Sequence, residues 1–345
     1  MIRLMQIMAG SENGGAENFF VRLSLALADI GISQKIITRP NSYRVPKLRS
    51  SKLSVIEAKF GNFFDYNTDK IIRKEFKNFR PDAVISWMNR GTFHTTRSLK
   101  SENFIHVARL GGYYNLKYYK NCDYLIANTK GISNWLEDSN INNISIHYIP
   151  NFVEESNSFI GQRGKKKVDI KKVNIFSAGR LHENKGFDIL IKSIVNMNNI
   201  YLSIAGDGPL KNYLVNLSKK LGMSDRVSFL GWRNDLSNIF KESDIFVCPS
   251  RHEPLGNVIL EAWANKIPVI AAGSQGPKEL IINNLNGILF PIDNVSLLSK
   301  SIFDLASDQK KIEKLIDNGY LSYKKNFTKE VVTKNYFNFL QRITK

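Results

Sequence analysis

Short apolar runs alternate with amphipathic helical patterns along almost the whole chain, and this alternation restricts the fold more than any other feature. Residues 2–8 read as a strand, and residues 15–30 follow with Phe19, Leu23, Leu27 and Ile30 near helical spacing. Residues 35–38 are strand-like again, 70–79 are helical, and Pro81-Asp82 punctuates the step into the run at 83–87. Further strands are expected at 104–108, 124–128 and 145–149. Strands separated by helices argue for parallel βαβ units, because a parallel connection needs a long crossover.

At 345 residues the chain is too long for one comfortable core, and two domains are expected. Residues 151–172 change character. Glu154, Glu155, Ser156, Asn157, Gly161, Gln162 and Gly164, then Lys165-Lys166-Lys167, have few apolar anchors and read as a linker. A second alternating series follows, with strands at 173–178, 201–205, 227–230, 245–247 and 269–272. Residues 315–345 look helical, with a break near Asn326-Phe327-Thr328. The expected organisation is α/β: a Rossmann-like, doubly wound domain over 1–155, a second over 170–325, and a helix over 326–345 returning to the first. Ligands of such sheets bind outside the carboxyl ends of the strands, so the informative residues should lie just after strands.

Bulk properties narrow the function. No run approaches the roughly 18–20 apolar residues of a membrane span. The apolar start is broken by Gln6 and followed by Glu12 and Glu17 rather than by a cleavage site, which reads as a buried strand and not a signal peptide. Two distant cysteines, Cys122 and Cys248, argue against a disulfide framework or a cysteine-based metal site and fit a reducing cytoplasm. The net charge of +18 divides evenly about residue 150, so there is no basic tail. It favours anionic partners: nucleotides, nucleic acid, lipid head groups or acidic glycans.

Three loops carry the chemistry. After the first strand, Gly14-Gly15 opens a helix, a position where backbone N–H groups suit a phosphate; a turn without a ligand is the alternative. After the strand at 173–178, Arg180 and Lys185 lie five residues apart and can reach one diphosphate, or stand as two solvated cations. After the strand at 245–247, Glu253 and Glu261 bracket Leu255, Gly256, Asn257 and Val258. With a helix starting near Gly256, the 255–258 backbone suits an anion. Glu253 can then accept sugar hydroxyls and Glu261 a ribose diol. The alternative is an ordinary solvent-facing pair.

Together these features resemble the retaining glycosyltransferases of family 4, which have the GT-B fold. Glu253-Pro254-Leu255-Gly256 through Glu261 matches that family's E-x7-E motif, and Ala178-Gly179-Arg180 with Lys185-Gly186 its donor-diphosphate loop. Gly206-Asp207-Gly208-Pro209 matches its G-x-G-P turn, Gly14-Gly15-Ala16-Glu17 its first glycine loop, and Pro150-Asn151 the end of its first domain. The resemblance implies two domains facing a cleft and transfer of a hexose-type sugar with retained configuration. Arg180 and Lys185 would neutralise the donor diphosphate without a metal or other cofactor. Glu261 would hold the ribose, Glu253 and the 255–258 backbone the sugar, and Gly15 would let its loop approach the phosphates; Gly206 belongs to the donor site. A UDP-sugar is expected ahead of a GDP-sugar.

The family often carries a histidine beside the sugar, late in the first domain. Here that stretch reads His106-Val107-Ala108-Arg109-Leu110-Gly111-Gly112, so Arg109 stands near the position, with His106 and His94 as further candidates. Arg109 is read as a catalytic-side residue that binds an anionic acceptor or the donor phosphate. Arg39, Arg44, Lys47, Arg49, Lys52 and Lys59 face only Glu57 and interleave with Tyr43, Val45, Leu48 and Leu53, which suggests a membrane-facing loop attracted to anionic lipid. The expected acceptor is a lipopolysaccharide or other lipid-linked or cell-surface glycan, and the expected location the cytoplasm, peripherally on the inner face of the plasma membrane. Three rivals stand: a nucleotide-sugar epimerase or hydrolase on the same fold, a dehydrogenase, and a basic protein binding nucleic acid or anionic lipid. The dehydrogenase lacks its G-x-G-x-x-G and has Arg39-Pro40 where an acidic residue should end the second strand. Nucleic acid is not expected as a partner, since no RNA-binding motif occurs.

Overall fold

The computed structural model of the chain describes residues 1–12, 14–139, 141, 143–155, 168–233 and 235–345. Residues 156–167 of the expected linker lie outside the described residues, as does Asn13 of the first glycine loop. The described chain divides into two units, Met1–Phe152 with Lys329–Lys345, and Val153–Thr328.

The first unit runs β1 (Arg3–Met8), α1 (Gly15–Asp29), β2 (Ser33–Thr38), α2 (Arg44–Ser50), β3 (Ser54–Glu57), α3 (Tyr66–Phe79), β4 (Ala83–Trp87), α4 (Met88–Ser98), β5 (Ile105–Leu110), β6 (Tyr124–Ala127), α5 (Lys130–Asp138) and β7 (Ser145–Tyr148). The second runs β8 (Val173–Ala178), α6 (Phe187–Ser193), β9 (Ile200–Ala205), α7 (Lys211–Lys220), β10 (Val227–Gly231), α8 (Leu236–Glu242), β11 (Ile245–Cys248), α9 (Asn257–Ala264), β12 (Val269–Ala272), α10 (Gln275–Leu280), β13 (Ile288–Phe290), α11 (Val295–Ala306) and α12 (Gln309–Asn326). The last helix, α13 (Lys329–Ile343), belongs to the first unit.

The two sheets are parallel, in the orders β3-β2-β1-β4-β5-β6-β7 and β10-β9-β8-β11-β12-β13. Each is doubly wound: the strand order reverses once, between β1 and β4 in the first and between β8 and β11 in the second. Helices cover both faces, so β4, β11 and β12 are buried at every residue, and their sequences are continuous apolar runs rather than alternating ones. In the first unit α13 inserts Val332, Tyr336, Phe339 and Leu340 into the cluster formed by Phe19, Phe20 and Trp87. Each such burial stabilises by about 1.5–3 kcal/mol.

The basic stretch differs from its expectation. It contains α2 and β3, which the sequence patterning missed because both are short. Val45 and Leu48 are fully in the core, so they cannot form the apolar face of a membrane loop. Arg39 donates to the carbonyls of Lys59 (2.9 Å) and Phe60 (2.6 Å), and Arg49 pairs with Glu57 at 2.9 Å. The short β13 was likewise not anticipated. No described helix is long and apolar enough to cross a membrane.

Candidate active site

In the second unit, β8 and β11 pair at only two positions, Ile245 with Ile175 and Phe246 with Phe176. Beyond them the Ser177 hydroxyl donates to the Val247 carbonyl at 2.6 Å. The loops that leave these two strands carry Arg180 with Lys185 and Ser250 with Glu253, at the strand-order reversal where this type of sheet binds ligands.

The two loops are fastened together. Arg251 grips both oxygens of Asp188 at 2.9 Å, reaches Asp293 at 2.6 Å and donates to the Glu183 carbonyl at 2.7 Å. The His252 amide donates to the Asn184 carbonyl at 3.1 Å. Gly186 sits at φ 63°, and a Cβ there would lie 2.2 Å from the Pro249 carbonyl oxygen. No other residue allows that approach without moving the backbone. Gly206 permits a similar approach on the neighbouring strand: at φ 138°, its Cβ would lie 1.9 Å from the Gly179 oxygen.

This packing brings Lys185 Nζ to 2.5 Å from Glu253 Oε2. Burial opposes the charge on Lys185, but the Glu253 carboxylate more than offsets it and holds the ammonium above its usual pKa. The other oxygen, Oε1, accepts from the Gly256 amide at 3.3 Å, and the Ser250 hydroxyl lies 3.5 Å from Oε2. A carboxylate has about four acceptor positions, so Glu253 retains capacity for a further donor. Arg180 is exposed and makes no hydrogen bond or ion pair with any described residue. A cation held in place and a second, free one thus stand on one short loop.

Helix α9 begins at Asn257, with Gly256 as its cap at φ 88°. Leu255 is buried, Asn257 and Val258 are half-buried, and Glu261 lies on the helix, half-buried, in its second turn. The loop after β12 also contributes, which the sequence reading did not include. Gly276 has no room for a Cβ, being 2.4 Å from the Leu255 oxygen, and its amide donates to the Glu253 carbonyl at 2.8 Å. Beside it the buried Ser274 hydroxyl has no partner among the described residues. The signal was present: Gly273-Ser274-Gln275-Gly276 directly follows a recognised strand.

In the first unit, Gly15 is exposed at the start of α1. Beneath it Glu17 is buried and accepts from the Ser11 amide (2.7 Å) and hydroxyl (2.9 Å). A Cβ on Gly14 would lie 2.3 Å from this carboxylate, which explains a glycine there.

Arg109 requires a correction. It is 1% exposed, at the carboxyl end of β5, with its guanidinium 4.5 Å from the Phe19 ring centre and 4.7 Å from that of Trp87. Nε donates to the Tyr336 hydroxyl at 3.0 Å and Nη2 to Asn151. It ties β5 to α13 and to the chain after β7, and burial denies it the direct contact with substrate expected of it. His106 and His94 are buried too. His106 Nε2 lies 2.8 Å from the Ser86 hydroxyl, and desolvation lowers its pKa to about 4. His94 Nδ1 lies 2.9 Å from Asp69, which also binds Arg97 and the Ser98 hydroxyl. Both cysteines are buried and free, and burial pushes the Cys248 thiol up to about 11. Among the described residues no group of three or more His, Cys, Asp or Glu could hold a metal ion.

Comparison with known proteins places this geometry. Residues 160–322 match the family model described as glycosyl transferases group 1. The lipopolysaccharide core biosynthesis glycosyltransferase LpsE of Rhizobium meliloti (strain 1021) is 30% identical over 335 residues, covering 95% of this chain and 96% of LpsE. A solved glycosyltransferase from Rickettsia africae superposes with a TM-score of 0.88 at 20% identity, covering 100% of this chain and 99% of that one. Anabaena Alr3699/HepE in complex with UDP-glucose superposes at 0.85 and 18% identity, over 99% of this chain and 100% of that one.

Proposed function

Because this chain belongs to the group 1 glycosyl transferases and is a glycosyltransferase of the GT-B fold, we propose that it moves a hexose-type sugar from UDP to a lipopolysaccharide or other cell-surface glycan, with retention and without a metal. The observation that carries the donor half is the Lys185–Glu253 pair at the strand-order reversal, with Arg180 free beside it. Lys185 is charged at neutral pH, and with Arg180 it supplies two cations for a diphosphate. As the glycosidic bond breaks, negative charge accumulates on the departing UDP and positive charge on the sugar. Cations positioned beforehand stabilise the first, and the Glu253 carboxylate the second. With the leaving group served by side chains, no divalent ion is required. Gly15, Gly206 and the 255–258 backbone line the donor in this reading, and Glu261 takes the ribose. The preference for UDP is supported by the UDP-glucose complex of Alr3699/HepE, and the glycan class by LpsE.

Thermal-shift titration with UDP, GDP and ADP tests the donor. UDP should stabilise most, by RT ln(1 + [L]/Kd). Stabilisation by none of the three would remove the donor site. Transfer that survives EDTA, with the anomeric configuration read by NMR, tests metal independence and retention. A peripheral position on the inner face of the membrane is proposed with different contacts from Val45 and Leu48. Phe63, Phe64 and Tyr66 are 60–74% exposed, and Lys59 and Lys70 are exposed near them in sequence. Flotation with anionic liposomes at low salt should carry the protein up; failure to float would end the membrane proposal.

A further inference from the structure

The first unit carries a second basic site that the donor reading does not use. A recess of about 420 Å³ opens among Gly10, Ser11, Glu12, Arg39, Asn41 and Arg44, beyond the carboxyl ends of β1 and β2. Its wall is built. Asn41 Nδ2 donates to the Glu12 carbonyl at 3.0 Å, while Asn41 Oδ1 accepts from the Arg44 amide at 2.6 Å. Arg44 Nη1 donates to the Ser11 carbonyl at 3.2 Å. Arg90, just after β4, stands beside Arg39, because both donate to the Phe60 carbonyl, at 3.3 and 2.6 Å. Three guanidiniums thus gather around the ends of β1, β2 and β4, on one side of this sheet's reversal point.

These cations are under-satisfied. None forms an ion pair with a described residue, and all their protein partners are neutral carbonyls. Arg44 is 2% exposed, yet its Nε is buried with no partner among the described residues. The nearby carboxylates are spent elsewhere: Glu17 on Ser11, and Asp65 on the Gly61 amide, the Thr68 amide and its hydroxyl. Glu12 is exposed at the rim. Desolvation and the neighbouring Arg90 lower the Arg39 pKa, as expected where like charges are held together. Such a cluster is costly unless an anion completes it.

We propose that this recess binds an oxyanion carried by the acceptor, a phosphate or a carboxylate on the glycan, through Arg39, Arg44 and Arg90. The inference rests on the transferase reading for the word acceptor, and on the first unit alone for the site. It restricts the acceptor to acidic glycans and gives some of the +18 charge a function.

The test uses the full chain and ligand-observed NMR, with glucose 6-phosphate, glucuronate and glucose as probes, each with and without saturating UDP. At least one of the two anionic sugars should bind in the presence of UDP, and glucose should not. Which of the two binds more tightly separates phosphate from carboxylate. Arg90→Gln and Arg39→Gln should each weaken the anionic probe roughly tenfold or more while leaving UDP affinity within about twofold. Arg90 is exposed, so its variant remains informative if Arg39→Gln fails to fold. Equal binding of glucose, loss of anion binding on adding UDP, or indifference to Arg90→Gln would each overturn the proposal. If UDP fails to bind while the anionic sugars still bind and Arg90→Gln weakens them, the donor reading falls and the oxyanion site stands.

Discussion

Separating the two members of the Lys185–Glu253 pair should destabilise the second unit, and removing both should restore much of the loss. The pair is close, at 2.5 Å, with the side chains 24% and 12% exposed. Leaving one charge of a fully buried pair alone costs about 3–5 kcal/mol. Water has some access to this site, so Lys185→Met or Glu253→Gln should each cost about 1–3 kcal/mol. Glu253→Gln strands an ammonium whose charge the carboxylate stabilises; Lys185→Met leaves a carboxylate that still has the Gly256 amide and the Ser250 hydroxyl. The first should therefore be the more damaging. In Lys185→Met/Glu253→Gln no charge remains to be desolvated, and a coupling of about 1–2 kcal/mol is expected. Scanning calorimetry, read at about 2–4 °C per kcal/mol for units of this size, supplies the numbers. Sugar transfer should be lost in all three variants, so the double variant should be nearly as stable as the parent and inactive. If the destabilisations simply add, the pair does not hold the two loops together, and the donor geometry has to be argued from another contact.

Three further outcomes follow from single contacts. Arg109→Ala should cost about 3–5 kcal/mol, because it empties the space between Phe19 and Trp87 and leaves Tyr336 and Asn151 without their donor. Arg109→Lys should recover some of that stability; a chemical melt checks both, and a fully stable inactive Arg109→Ala would return the residue to the substrate. Gly206→Ala forces a Cβ to within 1.9 Å of the Gly179 oxygen at a φ that L residues rarely adopt, so UDP binding should fall well before the fold is lost; unchanged calorimetric affinity would contradict this. His106 has a folded pKa of about 4, below its ordinary 6.5, so its contribution is full above 6.5 and lost as pH falls towards 4. Urea melts between pH 7 and 4 should show a steeper loss for the parent than for His106→Asn; parallel curves would mean the imidazole is not the group responsible.

The candidate donor site was legible in the sequence because each of its elements follows a strand. Arg180, Lys185, Glu253 and Glu261 were found by asking which residues a parallel sheet leaves at its carboxyl edge, and glycines at 186, 206 and 256 marked the turns. What a linear reading cannot supply is which loops meet. Lys185 and Glu253 are 68 residues apart, and only the order β8-β11 makes them neighbours. The loop with Ser274 and Gly276 followed a recognised strand yet was passed over, since its contact with Glu253 exists only through the backbone.

The same distinction decides Arg109 and the basic stretch. A polar residue at the end of an apolar strand looks the same in sequence whether it faces a ligand or a neighbouring helix. Its partner Tyr336 lies 227 residues further on, in a helix that packs against α1. Likewise Val45 and Leu48 suggested an apolar surface until α2 turned them into the core, leaving Arg39 and Arg44 around a recess. Sequence alone determined the alternation of strands and helices, the doubly wound class and the chemistry of the loops, because these follow from local periodicity and from residue type. Tertiary structure decided which charges are paired, which are buried and which remain available, because desolvation and partnership depend on neighbours that the chain brings together only when the sheets form.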